Sequence, residues 1–164
     1  MGDQIKIFMG YLIFFMTILT SCYPVGMLAI VSFGLAIFFL IYVYFYKMTS
    51  PKDSLVRNHM IYLIRTLWLG SLYMMICMTV AYFYGAPRFD MTVIEMVTTG
   101  QYVPMSEQEI YALQDRFIAM NQPLIIYVLL IAFGPTVLFF LYRILKGQMA
   151  ASKGTAPKGL RSWL

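Results

Sequence analysis

The residues that could do chemistry are few and scattered. There is one histidine, His59. A lone imidazole cannot build a His-rich metal site, and no nucleophile and carboxylate fall at one membrane depth with it to form a relay. The cysteines are Cys22 and Cys77. Two thiols permit one disulfide, but their number and spacing do not identify one, and free buried thiols are the expectation. Met74 and Met78 stand one helical turn apart beside Cys77, soft sulfur donors of the kind that hold Cu(I). The chain has 14 methionines, however, and methionine is ordinary packing material for apolar helices. No catalytic residue, cofactor or metal is therefore expected. Leu19-Thr20-Ser21-Cys22 fits the pattern of a lipoprotein processing site. Asp3 is acidic, though, and the residues after Cys22 return to an apolar run rather than a polar tether, so the segment reads as part of the fold.

The elements that must position these residues are membrane helices. Apolar residues make up 61% of the 164-residue chain and charged residues 12%. Mean hydropathy is +0.75. A soluble domain runs near ~45–50% apolar and ~25% charged. The balance excludes a soluble enzyme, a disordered chain and a disulfide scaffold. Three runs carry no Lys, Arg, Asp, Glu or His: 7–46, 66–87 and 117–142. One crossing of a bilayer takes ~20 helical residues. The second and third runs are one helix each. The first would reach ~60 Å as one helix, too far for a single crossing. Pro24 and Gly26 mark the break, because proline disfavours helix at the residue before it. The reading is an all-α, polytopic transmembrane bundle over 1–147. Its four helices fall at about 4–20, 25–47, 58–85 and 122–147, and a cytoplasmic basic tail covers 148–164. A single broken helix with a reentrant half is the competing account of the first run.

Cations set the orientation. The 47–65 connection carries Lys47, Lys52, Arg57 and Arg65 against Asp53. The C-terminal end carries Arg143, Lys146, Lys153, Lys158 and Arg161 without an acid. The loop 86–121 carries Arg88 and Arg116 against Asp90, Glu95, Glu107, Glu109 and Asp115. The first two are expected inside, with both termini, and the acidic loop outside. Arg65 is the deepest charge in this reading, within snorkelling reach of the cytoplasmic interface. The net charge of +5 then reflects topology. There is no basic stripe with stacking aromatics, so nucleic acid is not an expected partner. No carboxylate or lysine sits mid-membrane, which argues against ion-coupled transport.

Some polar and small residues carry packing information. Ser32 and Ala36, and Thr66 and Gly70, lie one turn apart on candidate contact faces. Gly134-Pro135 predicts a kink in the last helix. In the outer loop, Ser106-Glu107-Gln108-Glu109 reads as a capping box. Ile110, Leu113, Phe117 and Ile118 follow at helical spacing. A short amphipathic helix is predicted at 107–120, lying on the outer surface and running into the fourth helix past Asn121 and Pro123, and another from Asp90 to Thr99 ending at Gly100. This ordered shelf is either a docking surface built on Ile110, Leu113 and Phe117 or a lid resting on the bilayer interface.

The stretch His59-Met60-Ile61-Tyr62-Leu63-Ile64-Arg65-Thr66-Leu67-Trp68 resembles a motif of a family of small bacterial inner-membrane proteins of unassigned activity. That family is distantly grouped with the chloroplast inner-envelope import (Tic) channel-like proteins. His59, Tyr62, Ile64, Arg65, Thr66 and Trp68 match the motif; Leu63 and Leu67 replace its usual Gln and Phe. Arg143, Lys146 and Gly147 resemble the family's Arg-x-x-Lys-Gly pattern, and Pro157 and Trp163 its tail. The likeness covers roughly 25–84 and 123–164 and leaves out the outer loop. It implies a bacterial inner-membrane location. It also groups His59, Arg65, Trp68, Arg143 and Lys146 near the cytoplasmic interface, where they could contact lipid phosphates or a partner's carboxylate. The expected function is a non-enzymatic membrane subunit of a larger complex, with membrane lipids and other integral membrane subunits as partners. The alternative is a channel or translocase component.

Overall fold

A computed structural model of the chain describes residues 2–21, 26–104 and 106–157. It is all-α, with no strand among those residues. The helices are α1 (Asp3–Ser21), α2 (Gly26–Thr49), α3 (Leu55–Gly85), α4 (Thr92–Thr98) and α5 (Glu107–Ser152), with a single 3-10 turn at Ala86–Arg88. Four of these segments are long and apolar enough to cross a membrane. The chain is by that measure a multi-pass membrane protein. Cys22, Pro24, Lys158 and Trp163 lie outside the described residues, and with them the proposed processing site and any pairing of Cys22 with Cys77.

Local signals account for the helix ends. Ser54 caps α3, its hydroxyl accepting from the Arg57 amide at 3.2 Å. The capping box at α5 forms in both directions. The Glu109 amide donates to Ser106 Oγ at 3.3 Å, and Glu109 Oε2 accepts from the Ser106 amide at 3.2 Å. Gly100 ends the α4 region with φ +72°. Gly154, at φ +63°, stops α5. There the Gly154 amide donates to the Ala151 carbonyl and the Thr155 amide to that of Ala150, both at 3.0 Å. That paired closure is the Schellman pattern, and it needs a residue free to take positive φ.

The structure divides into two compact units. The first holds the chain up to Tyr73 and from Thr136 onward; the second is Met74–Pro135. In the first unit α1 and α2 form an antiparallel hairpin. Tyr42 Oη donates to the Lys6 carbonyl near one end, at 2.9 Å. Phe14 stacks on Phe39 midway, with centroids 4.7 Å apart. The Ser21 and Ser32 hydroxyls meet at 2.6 Å near the other end. The first apolar run is therefore two helices folded back on each other, not one broken helix. Ile7, Tyr11, Phe14 and Ile18 recur every three or four residues and put one face of α1 into the core. Val43, Met60, Leu63 and Ile144 meet that face. Thr66 and Gly70 form the contact face expected of them. Any Cβ at Gly70 would collide with the Phe140 ring, so glycine there lets α5 approach closely.

The amphipathic helix at 107–120 runs into the membrane helix at 122–147 as expected, the two forming a single helix unbroken through Pro123 and Pro135. A proline inside a helix removes one i→i−4 hydrogen bond but does not force a stop where neighbouring turns and tertiary contacts hold both sides. Asn121 provides such a contact. The tail assignment changes. Residues 148–152 belong to α5, and Pro157 turns back to a buried position.

Candidate functional site

Two constellations stand out, one in each unit. In the Met74–Pro135 unit, α4 lies along the first turns of α5. Between them runs an apolar groove of about 450 Å³, lined by Val93, Ile94, Val97, Ile110, Leu113 and Phe117 among others, with Thr98 and Gln114 as its polar groups. Val93 is buried, while Ile110 and Ile118 remain 44% and 52% exposed. The structure thus brings Ile110, Leu113 and Phe117 together on one wall. A volume of this size with few polar groups suits an apolar ligand or side-chain cluster. None of its lining side chains is titratable.

Asn121 holds the groove's far wall in place. It is 3% exposed. Its Oδ1 accepts from the Asp90 amide at 2.7 Å, and its Nδ2 donates to the carbonyls of Asp90 and Phe117 at 3.1 and 3.0 Å. One side chain therefore satisfies both backbone groups of Asp90 and fastens the start of the α4 segment to α5. Phe89 stacks on Phe117, with centroids 6.0 Å apart. Asp90 Oδ1 in turn accepts from the hydroxyl and amide of Thr92, at 2.6 and 3.0 Å. Those two donors, the hydroxyl first, favour the carboxylate and hold its pKa below the ordinary value.

In the other unit the motif residues of α3 turn inward. His59, Tyr62 and Thr66 lie at i, i+3 and i+7 and are all buried. His59 Nδ1 is 3.0 Å from Tyr11 Oη and its Nε2 is 3.1 Å from the Thr155 carbonyl. A carbonyl only accepts, so Nε2 carries the proton. In the neutral ring Nδ1 then accepts from the Tyr11 hydroxyl. The chain Tyr11–His59–Thr155 ties α1, α3 and the segment after α5 together. Tyr11 also fits against Gly147, where a Cβ would meet its hydroxyl. Tyr62 Oη donates to the Arg143 carbonyl at 3.0 Å, and Arg143 Nε donates to Thr66 Oγ1 at 3.1 Å. The Arg143 guanidinium lies 4.1 Å from the Tyr62 ring centroid.

The five predicted lipid- or partner-contact residues therefore separate. His59 and Arg143 are 0% and 3% exposed and belong to this buried polar seam. Arg65 and Trp68 are exposed, Trp68 at 62%. Lys146 is half-buried, its ammonium 5.5 Å from the Tyr142 ring centroid. Of the two arginines, Arg143 is the one buried in the protein and Arg65 the one exposed. Sequence reasoning missed Tyr11, Thr155 and the Asn121 clamp. For Tyr11 a signal existed, the one hydroxyl-bearing ring on a helix whose other rings are phenylalanines. Among the described residues no group of three or more His, Cys, Asp and Glu could hold a metal ion. Comparison with protein-family models, curated proteins and solved structures finds no match to this chain.

Proposed function

We propose that this chain is a non-enzymatic subunit of a bacterial inner-membrane complex, with both termini cytoplasmic and the 86–121 segment outside. On this reading the groove between α4 and α5 receives an apolar helix of another integral membrane subunit. The groove itself carries the reading: it is apolar, partly open, and its far wall is clamped by Asn121 rather than left loose. Its lining passes without a break into the uncharged stretch 117–142, so a helix seated in it would lie beside the bilayer. Binding grooves of this kind take a few apolar anchors spaced along one helix face. The surrounding acidic residues favour a partner with basic flanks. The alternative role, a channel or translocase component, needs polar groups open along the helices. Tyr11, His59, Tyr62 and Thr66 instead satisfy one another or nearby backbone groups.

A photo-crosslinking residue at Leu113, activated in native membranes, tests the docking reading. The expected product is a discrete protein adduct that disappears when Phe117→Glu is added. Adducts to lipid alone would assign the shelf to the bilayer interface and reject docking.

A further inference from the structure

Arg143 is 3% exposed and carries five N–H donors. One of them, on Nε, is used by Thr66. The described residues give no hydrogen bond to its two terminal nitrogens. Nor does a carboxylate among them pair with it; the ion pair they contain joins Lys6 to Asp3. The aromatic faces of Tyr62 and Phe139, 4.1 and 6.0 Å away, stabilise the cation only in part. A buried guanidinium left this way is costly unless an anion completes it. Its place in the sequence says where that anion comes from. Arg143 directly follows the uncharged run 117–142, and Lys146 sits one turn further on. That is the level at which an apolar helix leaves hydrocarbon and phospholipid phosphates begin. A guanidinium fork held flat by an aromatic ring is shaped for two phosphate oxygens, and a neighbouring ammonium adds a second charge.

We propose that Arg143, with Lys146 beside it, binds the phosphate of an anionic phospholipid headgroup at the membrane interface. Tyr62 and Thr66 are positioning residues, holding the guanidinium by its ring face and its Nε. The proposal rests on the chain spanning a membrane and is independent of the groove. A soluble phosphate ion has the same chemistry, so the test separates the two sources.

The full chain is placed in nanodiscs of phosphatidylcholine, of phosphatidylcholine with phosphatidylglycerol, and of phosphatidylcholine with added inorganic phosphate. Thermal unfolding is read in each. The expected result is a rise of ~3 °C or more with phosphatidylglycerol alone. Arg143→Gln should abolish that rise, Arg143→Lys should keep part of it, and Arg65→Gln, at an exposed position, should leave it in place. An equal rise with inorganic phosphate upholds the phosphate site and makes its source the soluble ion. Identical unfolding of the unaltered protein in all three discs overturns the proposal without any variant. So does a rise lost as fully in Arg65→Gln as in Arg143→Gln, because it would then reflect general surface charge.

Discussion

At the residue scale, His59 is a structural latch. Its two ring nitrogens join Tyr11 to the carbonyl of Thr155. Removing the ring leaves the buried Tyr11 hydroxyl without a partner, at ~1–3 kcal/mol, and releases the carbonyl of exposed Thr155. Tyr11→Phe removes only one donor and should cost ~1 kcal/mol. The segment after α5 feels the change first, because Thr155 is held there by that contact and Lys153 beside it is exposed. His59→Ala should therefore speed tryptic cleavage after Lys153 several-fold while the membrane helices stay intact; unchanged cleavage would show that the latch does not hold the tail. The resemblance singles out His59, Tyr62, Thr66, Arg143 and Gly147 by position. It says nothing of their mutual arrangement. A sequence states that a histidine sits on a helix face, but its partner here lies on a different helix 48 positions away. For the same reason the sequence does not say which of Arg65 and Arg143 is buried in the protein, since only tertiary packing separates the two.

At the scale of elements, the capping box and the run of the amphipathic helix into the last membrane helix are readable in the sequence, and the Asn121 clamp is not. Ser106 with Glu109, and Gly100, sit where short-range chemistry requires them. Asn121 and Pro123 are residue types common at helix boundaries, yet the helix runs past both. In the fold the Asn121 side chain is instead engaged by Asp90, which frees the backbone of α5 to continue. Asn121→Ala should leave the Asp90 amide and carbonyl unpaired and loosen the groove. Hydrogen exchange across 90–99 should quicken about tenfold or more, equivalent to ~1.5 kcal/mol of local opening. Unchanged exchange there would show that the clamp is not what orders α4. The Asp90 carboxyl adds a pH dependence with a definite sign. Its folded pKa is depressed by Thr92, so the turn's extra stability is present at neutral pH. It is lost as pH falls through that depressed value, below the ordinary aspartate range near ~3.9. Protection of 90–99, corrected for intrinsic exchange, should therefore hold from neutrality to mildly acidic pH and decline only in strong acid.

At the scale of the molecule, the alternation of oily runs and charged connections fixed the fold class before any contact was known. Long runs without charge must bury their backbone hydrogen bonds within themselves, and helices do so. Length excludes one continuous helix over the first run, and the contacts of α1 with α2 decide for the hairpin over a broken helix. Within the first unit α3 and α5 run antiparallel, with Thr66 opposite Arg143 and Tyr73 opposite Phe139. On the proposed reading, four crossings put both ends on one side, and the basic connections would make that side the cytoplasmic one. Pairing between faces was less legible. The helices are apolar nearly all round, so hydrophobic periodicity weakly marks which side faces protein and which faces lipid. Small residues such as Gly70 and Gly147 mark it better, because they admit a partner's ring.

The threading of the chain through the bilayer is tested most directly by a membrane-impermeant thiol reagent. Single cysteines at Glu107 and at Lys153, in a chain whose own cysteines are replaced by serine, report the two sides. The account predicts that Glu107→Cys is labelled in intact spheroplasts and Lys153→Cys only after permeabilisation. Labelling of Lys153→Cys in intact spheroplasts, with Glu107→Cys protected, would contradict it.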